Sequence, residues 1–189
     1  METQVSPFQR AASRGTAIVV GEVAAYALPT VVEPLAELFA DIVNAGVSLG
    51  FVPPMSREQS TAYWRSLRAE MQTGARLLLT ATVDGRLVGA GQLVLSPWPN
   101  SRHRAEVQKL FIAAACRGLG LGRRLLGALQ EAALRRGRSL IHLNTRQGDS
   151  AEGFYKRLHY REGGTIPGWT LGPAGERYAH MTLFRDLRS

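Results

Sequence analysis

Residues 116–126 read CRGLGLGRRLL. Glycines at 118, 120 and 122 follow an apolar, strand-like run and precede a run with helical spacing. The backbone N–H groups that open a helix lack intrahelical partners, and the helix dipole adds partial positive charge there. Glycine has no Cβ to hold an anion away. Arg117, Gly118, Leu119, Gly120, Leu121, Gly122 and Arg123 therefore suit a pyrophosphate, although the same glycines would also serve a structural turn and close helix packing. A P-loop needs Gly-Lys-Ser/Thr, but Gly122 is followed by Arg123 and Arg124. The dinucleotide fingerprint G-x-G-x-x-G needs a third glycine at 123 or 125, which are Arg and Leu. Neither loop is present.

Other side chains that could do chemistry are scattered. Glu106 has the strand parity of Gln108 and Leu110, which places all three on one face. Phe154 and Leu158 stand four apart and should pack inward, which leaves the Tyr155 hydroxyl turned toward a cleft. Cys116 is the single cysteine and, without a partner pattern, reads as a small buried filler. The histidines at 103, 142, 159 and 180 have no metal-ligand spacing, so no metal is expected. His142 shares parity with Asn144, close to any cleft on that strand.

The elements that must position these residues follow from periodicity and turn chemistry. Residues 1–15 are polar and unpatterned and read as a flexible tail, with a single domain over 16–189. Strands are expected at 16–21, 76–83, 86–95, 104–112, 139–145, 160–166 and 178–184, with a hairpin at Asp84–Gly85. Helices are expected at 30–45, 56–73, 121–136 and 149–158. Pro34 fits only near the first turn of its helix. Ser56 with Gln59 three residues on forms a capping box, and Gly74 closes that helix. Segments 46–56 and 167–175, rich in Gly and Pro, read as loops that close over a pocket, with Phe51 and Met55 either lining it or tucked into the core. The expected class is α/β (α+β): a mixed, mostly antiparallel central sheet with one parallel β-α-β crossover between residues 104 and 145, and flanking helices.

Composition narrows the partners. The chain has 189 residues, 45% hydrophobic and 20% charged, which is ordinary for a soluble domain. No apolar run reaches the ~18–20 residues of a membrane span, and the N-terminus lacks the apolar core of a secretory signal, so a cytoplasmic protein is expected. The net charge is +8, and all but two of the 23 cations are arginine. This admits an anionic partner, yet no Lys/Arg block is longer than two residues. A solvated helix face explains the doublets at 123–124 and 135–136, and neither nucleic acid nor membrane is expected as a partner.

The segment from Arg117 to Gly122 matches R/Q-x-x-G-x-G/A, the pyrophosphate loop of the GNAT acyl-CoA-dependent N-acetyltransferase superfamily. AEVQKLFI before it resembles that superfamily's fourth strand, and AEGFYKRLHY at 151–160 resembles its later A-x-x-F-Y-x-x-x-G-F/Y segment. GVSLGF, AEVQKLF, RGLGLGRRLL, HLNT, AEGFYKRLHY and IPGW together look like the tabtoxin-resistance acetyltransferases, over most of residues 30–187. The resemblance implies acetyl transfer from acetyl-CoA to an amine or hydroxyl of a small, amino-acid-like molecule, with an amine as the leading reading and, in the narrower form, detoxification of an antimetabolite or antibiotic resistance.

The same resemblance assigns roles. Pantetheine would lie beside the fourth strand, pairing with backbone groups of Leu110, Phe111 and Ile112, provided the fourth and fifth strands splay apart. Glu106 would be the base, where the residues alone also allow a surface carboxylate paired with Arg104 or Lys109. Tyr155 would be the acid, where the residues alone also allow a core-capping aromatic. Asn144 stands where close relatives have Asp, so it either lacks that carboxylate's role or keeps only its hydrogen bonding. His159 stands where the superfamily usually has Gly after the helix, a cap that needs a left-handed backbone, and Ala174 and His180 replace the relatives' Asp and Thr. Ser48, Phe51 and Trp169 are the expected acceptor-binding residues. Two other readings remain: an acyl-CoA sensor without transfer, against which Glu106 and Tyr155 argue, and a protein N-terminal or lysine acetyltransferase, which would need an open groove. The expected assembly is a monomer or homodimer.

Overall fold

A computed structural model describes residues 17–188. The expected tail at 1–15 lies outside the described residues. The chain runs β1 (Ile18–Val23), α1 (Leu28–Asn44), α2 (Arg57–Ser66), α3 (Arg68–Gln72), β2 (Arg76–Val83), β3 (Arg86–Leu95), β4 (Arg104–Ile112), α4 (Leu121–Arg135), β5 (Leu140–Arg146), α5 (Ser150–Lys156), β6 (Arg161–Leu171) and β7 (Arg177–Asp186). The sheet has seven strands in the order β1-β2-β3-β4-β5-β7-β6. Its one parallel pair is β4–β5, joined across α4; every other neighbour is antiparallel. The mixed, mostly antiparallel architecture read from the sequence is thus the one observed.

Alternation along the strands sends apolar residues to both faces of the sheet. Leu77, Leu79, Leu93, Val107, Ile141 and Leu183 pack beneath Leu125, Leu129 and Ala132 of α4. Leu78, Ala90 and Phe111 point the other way, against Phe39 of α1 and Trp64 of α2. Phe39 is fully buried at the middle of an aromatic cluster, with ring centroids 5.5 Å from Phe51, 5.6 Å from Tyr63, 5.3 Å from Trp64 and 5.5 Å from Phe111. Rings at these separations gain edge and offset contacts beyond their buried area.

Several local expectations are met. The Ser56 hydroxyl accepts from the Gln59 amide, and the Gln59 side chain accepts from the Ser56 amide, which completes the capping box that starts α2. His159 takes the left-handed backbone expected after its helix, with φ +64°.

Three expectations need correction. The helix read over 56–73 is two helices, with the break at Leu67. Helix α1 starts earlier than expected, and Pro34 lies in its interior rather than its first turn; Pro29 takes the early position instead. The loop read at 167–175 is strand as far as Leu171, with an irregular register between Ile166 and Thr170. Strand β6 is the outermost of the sheet, and an edge strand has one side without ladder bonds, where Pro167 lacks no partner.

Candidate active site

The glycine segment lies where β4 hands over to α4. Gly120 is the N-cap of α4 in the left-handed conformation, φ +75°, and makes no side-chain cap; Gly118 also has positive φ, +80°. A Cβ built at either position meets nothing within 4 Å, so both glycines border open space. Leu121 is buried, while Arg117, Gly118, Gly120 and Arg123 are exposed. Gly122 is different: its Cβ would stand 3.5 Å from the Phe154 ring, an ordinary contact, so Gly122 fits helix packing as well as anion access. The uncapped helix start therefore has the open space and the donors a diphosphate requires.

Beside this turn the sheet parts. β4 and β5 pair only from Arg104 with Leu140 to Val107 with Leu143, although β4 continues to Ile112 and β5 to Arg146. Leu110, Phe111 and Ile112 thus lie on the stretch of β4 that has left β5, the splay that a strand-like ligand needs.

A β-bulge shapes the same stretch. The β3–β4 register slips between Ala90 and Gln92, and Lys109 takes φ +49°. The extra residue reverses the alternation. Glu106 and Gln108 share a face, but Leu110 turns to the α4 side: a Cβ on Gly91 would meet Leu110 and Leu129. The expectation that Glu106, Gln108 and Leu110 face one way is overturned at Leu110, because strict parity holds only in an unbulged strand.

A cleft of about 610 Å³ opens between the 47–52 loop, β4, the ends of β5 and α5, and the last hairpin. Ser48, Phe51, Glu106, Leu110, Asn144, Tyr155 and Trp169 all line it, so the structure gathers the expected catalytic and acceptor-binding residues around one space. His142, despite its parity with Asn144, is not on its wall; burial holds the His142 imidazole below the ordinary histidine range.

Glu106 is held by two amides. Gln108 Nε2 donates to Oε2 at 2.9 Å, and Asn144 Nδ2 donates to Oε1 at 3.1 Å. Asn144 Oδ1 in turn accepts from the Thr182 hydroxyl at 2.9 Å. On the other side, the half-buried Arg76 donates through Nη1 to Gln108 Oε1 at 3.0 Å and through Nε to Glu70 at 2.9 Å. Arg76 also donates to Gln92, which exchanges hydrogen bonds with Tyr63. Because a guanidinium only donates, it fixes the Gln108 carbonyl toward itself and the Gln108 NH₂ toward Glu106. The carboxylate is thereby oriented by a chain running from α3 to β7, and it pairs with neither Arg104 nor Lys109.

Tyr155 is the buried member of α5, while Phe154 is only half-buried. This differs from the sequence expectation that Phe154 would take the core and Tyr155 the opening. The Tyr155 ring packs 5.6 Å from Tyr160 and still lines the cleft. Burial first, and the neighbouring Tyr160 second, push its hydroxyl well above the ordinary tyrosine range. It stays protonated as a donor at neutral pH.

Sequence reasoning missed Arg76, Gln92 and Thr182, and gave Gln108 and Lys109 no role beyond a shared face and a possible ion pair with Glu106. Each is a polar residue on a strand, a signal that was present without saying what the residue would meet. His180 was noted only as a departure, yet it lines the cleft with its ring 5.3 Å from Trp169. Among the described residues there is no cluster of three His, Cys, Asp or Glu that could hold a metal, and no helix is long and apolar enough to cross a membrane.

Comparison with known proteins gives the family and the fold. The model of the acetyltransferase (GNAT) family matches residues 48–160, which span the cleft loop, β4, the glycine turn and α5. A curated relative, an uncharacterized N-acetyltransferase in the hisH-hisA intergenic region of Azospirillum brasilense, is 33% identical over 109 residues, 57% of this chain. The match spans 63% of that relative's length. Among solved structures, a GCN5-related N-acetyltransferase from Kribbella flavida aligns with a TM-score of 0.71 at 24% identity, over 90% of this chain and 98% of that one. The structure of yncA from Salmonella typhimurium, with its cofactor acetyl-CoA, aligns with a TM-score of 0.72 at 16% identity, over 90% of this chain and 94% of that one. At these identities the two structures establish a shared fold.

Proposed function

The chain belongs to the acetyltransferase (GNAT) family, and from that premise we propose that it transfers the acetyl group of acetyl-CoA to an amine of a small, amino-acid-like acceptor. The observation that carries this reading is the convergence of Glu106, Asn144 and Tyr155 on one cleft that adjoins the parted ends of β4 and β5. Acetyl-CoA supplies an activated thioester. The open amides between Arg117 and Arg123 suit its diphosphate, and the unpaired stretch at Leu110–Ile112 suits its amide-bearing arm.

The chain's own residues cover the remaining needs. An ammonium must lose a proton before its nitrogen can attack, and Glu106 is the carboxylate aimed into the cleft, directly or through a water. Its two amide donors each leave lone pairs free on the oxygen they bind. Asn144 acts through Glu106 as a positioning residue. As the C–N bond forms and the C–S bond breaks, the leaving sulfur needs a proton, and the Tyr155 hydroxyl holds one. A main-chain N–H near Leu110 is suited to polarise the thioester carbonyl, a contribution of about 3 kcal/mol where such donors are preorganised.

The quoted resemblance to tabtoxin-resistance enzymes supports detoxification of an amino-acid-like antimetabolite as the narrower role. The direct test is thiol release from acetyl-CoA across a panel of amino acids, polyamines and aminoglycosides, alongside thermal stabilisation by acetyl-CoA. Amine-dependent release with at least one small amine supports the reading. Cofactor binding with no release in any panel overturns transfer.

A further inference from the structure

Lys109 is one of only two lysines in a chain rich in arginine. It occupies the bulge of β4 with a backbone, φ +49°, that costs a non-glycine residue roughly 1–2 kcal/mol. The bulge sends its side chain to the face that Glu106 shares, away from α4. There Nζ lies 5.4 Å from the Phe51 ring centroid and 5.9 Å from that of Tyr63. The loop closes tightly against it: a Cβ on Gly50, φ +80°, would stand 2.6 Å from Nζ.

Lys109 lines the cleft, and among the described residues its ammonium has neither hydrogen-bond nor ion-pair partner. The Ser48 hydroxyl, two residues from Gly50 on the same cleft wall, has no hydrogen-bond partner either. An ammonium carries three donors and is strongly hydrated, so half-burying it without an acceptor is unfavourable, and ring faces offset only part of that. Burial first, then Arg76, hold Lys109 below the ordinary lysine range, while Glu106 acts in the opposite sense. The cleft therefore presents, on one wall, a carboxylate and a cation for which the described residues supply no acceptor.

Resting on the reading that this cleft takes an amine acceptor, we infer that Lys109, assisted by Ser48, is the receptor for an anionic group on that acceptor. The substrates are then amines that also carry a carboxylate or comparable oxyanion. The amine meets Glu106 and the oxyanion meets Lys109, which distinguishes such molecules from polyamines and aminoglycosides.

The test is paired kinetics by thiol release, with L-amino acids against their carboxamides, on wild type, Lys109→Met and Lys109→Arg. Methionine keeps an unbranched stem under the rings, and acetyl-CoA-induced thermal stabilisation checks that each variant is folded. Wild type should favour the acid over the matched amide by roughly tenfold to a hundredfold in kcat/KM, the range expected of a charged hydrogen bond. Lys109→Met should bring the ratio close to one, chiefly by raising KM for the acid, and Lys109→Arg should retain a preference. An acid-to-amide ratio that is the same in wild type and Lys109→Met overturns the receptor role. Acetylation confined to amines without an anionic group also overturns it, while leaving the transfer reading intact. If acetyl-CoA binds but no amine is acetylated, the transfer reading fails on its own. Tryptophan fluorescence titration with the same acids and amides then decides Lys109, and equal affinities in wild type and Lys109→Met overturn its role.

Discussion

Replacing Asn144 with Asp puts the proposed base to a quantitative test. The Asn144 Nδ2 donor stands 3.1 Å from Glu106 Oε1, and Asp would put an oxygen in its place. Two unit charges at that separation repel by roughly 1.3 kcal/mol in bulk water and by roughly 5 kcal/mol at an effective dielectric of about 20. Asn144 is exposed and Glu106 half-buried, so the water-like end of that range applies. A repulsion of about 2 kcal/mol corresponds to roughly 1.5 pK units. Two carboxylates sharing one site in Asn144→Asp cannot both ionise freely, so the pair should retain a proton between them. The base must be deprotonated to act, so the acidic limb of kcat/KM should move upward by about 1–2 units. Asn144→Ala removes the donor without adding charge and should move the limb less. The assay is thiol release against pH with the best acceptor, over a range where the enzyme remains folded. Superimposable limbs in wild type and Asn144→Asp would refute Glu106 as the group that titrates there.

Tyr155→Phe should lower kcat by about a hundredfold, within the usual range for a positioned acid, with acetyl-CoA stabilisation retained; full turnover removes Tyr155 from the role. Gly120→Glu places a carboxylate where only open space borders the N-cap of α4, and it should abolish thermal stabilisation by acetyl-CoA; a persisting shift would place the diphosphate elsewhere. Stability should fall at both pH extremes. Burial holds Tyr63, Tyr155 and Tyr160 above the ordinary tyrosine range, so the native state keeps protons that the unfolded chain releases, and stability declines as pH rises past about 10. Burial holds His142 and His180 below the ordinary histidine range, so the unfolded chain takes up protons first and stability declines as pH drops below about 6.5. Urea midpoints measured across pH check both limbs, and a flat profile above pH 10 would contradict the burial of the tyrosines.

The parts of this molecule legible in its sequence are those governed by neighbours along the chain. The Ser56–Gln59 cap, the Asp84–Gly85 turn and the glycine break before Leu121 each depend on a few adjacent residues, and each is where its signal puts it. Leu110 was misassigned because parity assumes an unbulged strand, and the bulge at Lys109 depends on how β4 pairs with β3. The parting of β4 from β5 belongs to no local pattern, since it is a relation between strands whose paired residues, such as Arg104 and Leu140, stand 36 positions apart. Arg76 could be seen as a charge at the start of an apolar strand, but its partners Gln92 and Gln108 lie 16 and 32 residues away. Strand β6 shows the opposite failure: the Pro, Gly and Trp at 167–169 carry turn signals, which an edge position overrode. For the candidate site, the sequence supplied the members, and long-range pairing supplied what each one touches.

The short β4–β5 ladder has a mechanical consequence. Along the backbone of the sheet, β1 to β4 form one leaf and β5 to β7 the other, and the spine that binds them is four residue pairs long, Arg104–Val107 with Leu140–Leu143. Thr182 and Asn144 belong to one leaf and Glu106 to the other, so a small flexing of the spine would separate the carboxylate from half of its support. Under mild denaturant, amide protons along that spine should exchange sooner than those joining β2 to β3.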